Sequence, residues 1–221
     1  MVVPKRLVEE KKEWTRKAIQ KAAQKVFFEK GYANATIEEI AKLAGAAKGS
    51  IYLYFQTKDD LYLSLMIPAL EEIKRSLADF QGKMAKDQYQ TCSEFITGFY
   101  NHYKRIYRHD PDGIRIIQAF QQGDLISAMS KKTREELNHV ARENFQLARN
   151  IFSAAMRRKA IAKMNPIQLS DIFWATFIGI VQLEESKFRA TKRNHLEDTL
   201  RSAFAILAKG LCPSPSKRHR T

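Results

Sequence analysis

Across 221 residues the chain has only 2 cysteines, 9 glycines and 6 prolines. Cys92 and Cys212 stand far apart with no C-x-x-C spacing, so neither a zinc site nor a disulfide framework is indicated, and a reduced, cytoplasmic setting is expected. Little glycine and proline beside 44% hydrophobic residues excludes disordered and fibrous classes, leaving apolar material for one small and one medium domain. Long apolar runs are missing too. Ile172 to Val181 falls short of the roughly 20 residues a membrane span needs, and the opening MVVPKRLVEEKKEW has no apolar core of a signal peptide. No membrane partner is expected.

Catalytic signatures are equally scarce. There is no G-x-S-x-G elbow, no G-x-x-x-x-G-K-[ST] phosphate loop, no G-x-G-x-x-G and no H-E-x-x-H. The five histidines, His102, His109, His139, His195 and His219, have no spacing suited to a common metal. Neither an enzyme, a cofactor nor a metal site is indicated. Acidic residues are in deficit: 24 Asp and Glu face 38 Lys and Arg, a formal charge of +14. Such a charge attracts polyanions, although the excess is spread along the chain rather than concentrated in its first 60 residues.

What the chain does carry is concentrated in residues 36–62, TIEEIAKLAGAAKGSIYLYFQTKDDLY. Thr36 followed by Glu39 is a capping box, so a helix starts there. Ile37, Ile40, Ala41 and Ala44 form its apolar face, and Gly45 supplies the left-handed residue that ends it. Lys48 to Tyr54 then makes about two turns, with Ile51 and Phe55 inward and Lys48, Gly49, Ser50, Tyr52 and Leu53 on the other sides. Gly49 would let the backbone approach a groove floor, Lys48 reaches a guanine edge or a phosphate, and Tyr52 and Tyr54 offer phenolic hydrogen bonds. Thr57 and Asp60 repeat the capping spacing, which puts Lys58 near a helix amino end. Plainer readings exist: Thr36 as a cap alone, Tyr54 as a core residue with a wet hydroxyl, Lys58 as a solvated charge.

Gly31-Tyr32, Thr36-Ile37, Ile40-Ala41, Ala44-Gly45, Lys48-Gly49-Ser50-Ile51-Tyr52, Tyr54-Phe55 and Thr57-Lys58 resemble the helix-turn-helix signature of the tetracycline-repressor (TetR) family. The resemblance covers about the first quarter of the chain. It implies an all-α homodimer with an N-terminal three-helix DNA-binding domain and a larger helical ligand-binding and dimerisation domain. Such a protein binds palindromic operators in double-stranded DNA and is released by a small-molecule effector. It also implies DNA contacts from Thr36, Lys48, Gly49, Ser50, Tyr52, Tyr54 and Lys58. Ala47 departs from the pattern, standing where the family often places a serine or threonine cap.

The rest reads as helix after helix: Trp14 to Lys30, ending at Gly31; Thr57 to about Gln81, kinked by Pro68; then Gln88 to Arg108, Gly113 to Gln122, Lys131 to Ala162, Ile167 to Phe188 and His195 to Lys209. The expected division is a DNA-binding domain over 12–60, a ligand-binding and dimerisation domain over 61–210 and a basic tail over 211–221. Ile172 to Val181 is apolar on nearly every side, and Leu196, Leu200, Ala203, Phe204 and Leu207 form a stripe; together they suit a four-helix interface between two chains, or the core of one. For a ligand the candidates are Phe99, Tyr103, Tyr107, Phe120, Phe152, Trp174 and Phe177, with His102, Arg115, Gln118 and Gln121 as polar neighbours. The competing reading of these aromatics is an ordinary core. A hydrophobic ligand with an anionic group would suit the aromatics and the charge. Two other functions fit the same residues: a DNA binder without an effector, and a helical small-molecule carrier whose DNA head has degenerated.

Overall fold

The computed structural model describes residues 5–122 and 130–212, and among them it is all helix with no strand. The elements are α1 (Lys5–Asn34), α2 (Ile37–Ala44), α3 (Lys48–Tyr54), α4 (Lys58–Ser64), α5 (Met66–Ala85), α6 (Cys92–His109), α7 (Pro111–Gln122), α8 (Lys131–Arg157), α9 (Pro166–Thr191) and α10 (Leu196–Leu211). They form two compact units, one of residues 1–69 and 112–139, the other of residues 70–111 and 140–221. The expected tail falls outside the described residues from 213 onward.

In the first unit, α1 packs on α2 and α4, and α2 on α3, with Ile19, Ala23 and Phe27 of α1, Ile37, Ile40 and Ala41 of α2, Ile51 of α3 and Leu61 of α4 all buried. Gly31 takes φ +78° and breaks α1 there, as its position after Lys30 predicts. The helix begins earlier than Trp14, however. Residues 5–13 have no apolar period but do have four-residue charge pairing, seen in the Arg6–Glu10 ion pair at 2.8 Å. The helix expected from Thr57 to Gln81 is two helices, broken at Leu65, with Pro68 in the first turn of α5. The proline ring cannot bond the Ser64 carbonyl one turn back, and that carbonyl instead accepts from the Gln20 side chain at 3.2 Å.

The second unit is organised by aromatic rings. Phe99 stacks on Phe152 with centroids 4.7 Å apart, Phe152 meets Phe173 at 4.9 Å, and Phe173 meets Phe204 at 5.4 Å. Gly98 makes room for the Phe80–Tyr89 stack, since a Cβ there would lie 2.7 Å from Phe80 Cε2. α8 stops at Arg157 rather than Ala162 because Lys159 turns left-handed at φ +58°, closing the end through Ala160 N–H to the Ala155 carbonyl at 3.0 Å.

Two expectations for this unit change. Cys92 and Cys212 form a disulfide, with Cα atoms 5.4 Å apart, joining the first turn of α6 to the end of α10. Their separation of 120 residues hides a pairing that only the folded chain creates. Leu196, Leu200 and Phe204 are buried within the subunit, so most of the predicted interface stripe is internal. α9 is the one described helix long and apolar enough to cross a membrane by length and composition. Its Phe173, Phe177 and Val181 are nonetheless in the core of this unit, beside a buried Glu184 whose carboxylate accepts from Lys187 at 2.9 Å and Thr199 at 3.0 Å.

Candidate nucleic-acid interface and ligand cavity

The helix-turn-helix is built by its caps. Glu39 N–H donates to Thr36 Oγ1 at 3.2 Å and Thr36 N–H to Glu39 Oε2 at 3.3 Å, closing the capping box. At the other end of α2, Gly45 is left-handed at φ +66°, and the chain reverses into α3. Ala47 caps α3 with backbone alone, without a side-chain bond. Ile51 and Phe55 then anchor α3 in the core and turn its other sides outward.

That outward surface holds Lys48, Gly49, Tyr52 and Leu53, with Ser50 and Tyr54 half-buried beside them; Leu53 is 83% exposed. A Cβ on Gly49 would meet no atom within 4 Å. The protein's own packing therefore does not require glycine there. Lys48 is ion-paired with Glu38 of α2. The hydrogen bond to Glu38 holds the Lys48 ammonium above its usual pKa, and the same bond lowers the Glu38 carboxyl. Lys58 sits over the Tyr32 ring, 4.4 Å from its centroid, and 3.5 Å from the Ala33 carbonyl, three residues before Thr36. Tyr32 is itself held by donating to Asp59, and burial followed by that carboxylate pushes its phenol pKa up.

The ligand candidates divide. Phe120 belongs to the first unit and the other six to the second. Phe99, Phe152 and Phe177 are fully buried among other rings, Tyr103 stacking on Phe177 at 4.6 Å. Tyr107 donates to Glu185 at 2.9 Å. Tyr103 and Trp174 alone of the seven line a half-open cavity of about 60 Å³. Its walls are Leu70, Ile73 and Leu77 of α5, His102 and Tyr103 of α6, Asn144 and Phe145 of α8, and Ser170 and Trp174 of α9. No charged side chain lines it, which removes the reason for expecting an anionic group inside. Of the polar neighbours, His102 reaches the cavity, Arg115 is exposed and pairs with Asp112 at 2.6 Å, and Gln118 lies in the first unit. Asn144 was not among the candidates, though it stands seven residues from both Leu137 and Ile151, in the register of the buried face of α8.

The first unit thus carries a helix-turn-helix whose second helix faces outward, and the second unit is a larger helical body with an apolar cavity. Residues 19–65 match the profile of bacterial regulatory proteins, tetR family. Over 66 residues it is 39% identical to the fatty acid metabolism regulator protein of Bacillus subtilis (strain 168), which covers 30% of each chain. Over 94 residues it is 34% identical to the HTH-type transcriptional repressor NicS of Pseudomonas putida, covering 41% of this chain and 42% of that one. The matched segments thus span less than half the length of these relatives. The fold is similar over nearly the whole chain to that of the fatty acid degradation regulator FadR from Bacillus halodurans. That comparison has TM-score 0.65 and 21% identity, covering 93% of this chain and 97% of the other. FadR from Bacillus subtilis, solved in complex with stearoyl-CoA, has TM-score 0.60 at 21% identity, covering 87% and 97%.

Proposed function

We propose that the chain is a ligand-responsive transcriptional repressor, a homodimer that binds a palindromic operator in double-stranded DNA and leaves it when a small molecule occupies the second unit. The observation that carries this reading is the outward face of α3, where a glycine not needed for packing lies between an exposed lysine and a tyrosine. A groove floor is what such a bare backbone suits. Thr36, Lys48, Gly49, Ser50, Tyr52, Tyr54 and Lys58 make the base and phosphate contacts. Residues 12–60 form the DNA-binding domain, and residues 61–210 carry ligand binding and dimerisation. The site of action is the cytoplasm.

The dimer brings two α3 helices about 34–36 Å apart to meet successive major grooves on one side of the duplex. Its interface uses apolar side chains that remain exposed, Ile172 and Leu183 of α9 and Ile206 of α10, the last 67% exposed. The effector is hydrophobic, in keeping with the apolar cavity and with relatives described as fatty acid regulators. It acts by binding more tightly to a conformation whose heads miss that spacing, because equal affinity for both states would shift nothing.

Selection from a random duplex pool at physiological salt tests the reading, since non-specific phosphate binding weakens steeply with salt. Recovery of a palindrome with paired half-sites is expected. A pool that stays random would overturn the proposal in favour of a carrier or a non-specific binder.

A further inference from the structure

The cavity in the second unit has two buried polar atoms with no hydrogen-bond partner, and they are of opposite kinds. His102 is 3% exposed and Asn144 7% exposed; both line the cavity, and both His102 Nε2 and Asn144 Oδ1 are unsatisfied. Native interiors leave few such atoms.

Their hydrogen-bond character follows from their neighbours. Arg105 Nη2 donates to Ser76 Oγ at 2.6 Å, and Ser76 Oγ lies 2.6 Å from His102 Nδ1. With the arginine occupying an acceptor position on Ser76, the serine hydrogen points to Nδ1, which accepts it. The ring hydrogen of the neutral imidazole is then on Nε2. The other tautomer would leave the buried serine hydrogen without an acceptor. Burial, reinforced by the Arg105 charge and opposed by Asp79, depresses the His102 pKa to about 3, so the ring is neutral at physiological pH. Asn144 Nδ2 donates to the Leu70 carbonyl at 2.8 Å, which fixes the amide orientation and leaves its oxygen as an unpartnered acceptor. The residues lining the cavity thus carry one unpartnered buried donor and one unpartnered buried acceptor, beside the Tyr103 and Ser170 hydroxyls, and no charge.

We infer that the occupant is an uncharged hydrophobic molecule with a hydroxyl group, which accepts from His102 Nε2–H and donates to Asn144 Oδ1. A hydroxyl supplies both complements from one atom. A carboxylate would set its negative oxygens against the Asn144 carbonyl oxygen with no cation lining the site. An ether or a thioester carbonyl would leave Asn144 unsatisfied. The cavity takes the hydroxyl end and the first carbons, and the remaining hydrocarbon passes out along exposed Phe145. This inference rests on the effector part of the proposed function and narrows it to a chemical class.

The test is calorimetric titration of the full chain with three probes of matched length, 1-octanol, 1-methoxyoctane and octanoate, with no DNA present. The alcohol is expected to bind at least about tenfold more tightly than either of the others, a difference of about 1.4 kcal/mol. His102→Leu should abolish the preference for alcohol over ether while retaining hydrocarbon binding; should that variant not fold, the wild-type probe series decides alone. Equal binding of alcohol and ether, preference for octanoate, or no binding of the alcohol would each overturn the inference. Since DNA is absent, none of these outcomes bears on operator recognition, and a failed operator search leaves the order of the three probes untouched.

Discussion

At the scale of single residues, Lys48 has a partner in the free protein that the proposed DNA contact would make it share or leave. Its ammonium is paired with Glu38, and the carboxylate beside it would face phosphate oxygens of the same sign. Glu38→Gln keeps the shape and removes the charge. The variant should bind an operator severalfold more tightly at low salt, with the gain shrinking as salt rises and screens the repulsion. Fluorescence anisotropy across a salt series measures this, and unchanged affinity at every salt would remove Lys48 from the phosphate or base contacts.

His102 makes a second residue-scale argument, because its burial bears on stability as well as on the proposed ligand contact. Its folded pKa is about 3 against an ordinary 6.5, depressed by burial and by Arg105. Above pH 6.5 both folded and unfolded chains hold it neutral, and it has no pH-dependent effect. Between 6.5 and about 3 the unfolded chain takes up a proton that the folded one refuses, so stability falls by about 1.4 kcal/mol per pH unit. Carboxylates titrate in the lower part of the same window, so the measurement is a comparison. Urea unfolding of wild type and His102→Gln from pH 7.5 to 4.5 should give curves that converge as pH falls below 6.5. Parallel curves would show that this imidazole is not the group responsible.

At the scale of elements, α3 is the place where a local sequence choice left stability unused. Ala47 is exposed, has the extended backbone of an N-cap at φ −74° and ψ 148°, and makes no side-chain bond. Ala47→Thr supplies the missing oxygen and should stabilise the protein by about 1 kcal/mol in chemical denaturation. No gain would mean that the first turn of α3 finds its bonds elsewhere. The head was legible in the sequence because its signals are local: the Thr36–Glu39 box, the left-handed Gly45 and Pro68 each act within one or two turns. The start of α1 was not, because charge pairs rather than an apolar stripe extend it, and the end of α8 was not, because Lys159 adopts a conformation usually left to glycine. The cavity was half legible. Tyr103, Trp174 and His102 stood out by type, but aromatic spacing alone could not separate them from Phe99, Phe152 and Phe177, which fill the core. Asn144 was hidden in an apolar register.

For the molecule as a whole, the least local feature is the Cys92–Cys212 bond, which closes a loop spanning 120 residues and encloses α6 through α10. In the chain-entropy account, a loop of that length restricts the unfolded ensemble enough to stabilise the folded state by about 5 kcal/mol, a large part of the stability of an ordinary domain. The reduced and the oxidised chain therefore differ in stability. Guanidinium unfolding with and without a thiol reductant should show the reduced protein less stable by up to that amount. Cys92→Ser should match the reduced wild type and be indifferent to reductant. If reductant changes neither the midpoint nor the slope for wild type, the two sulfurs are not bonded in solution, and the second unit is held by its aromatic core alone.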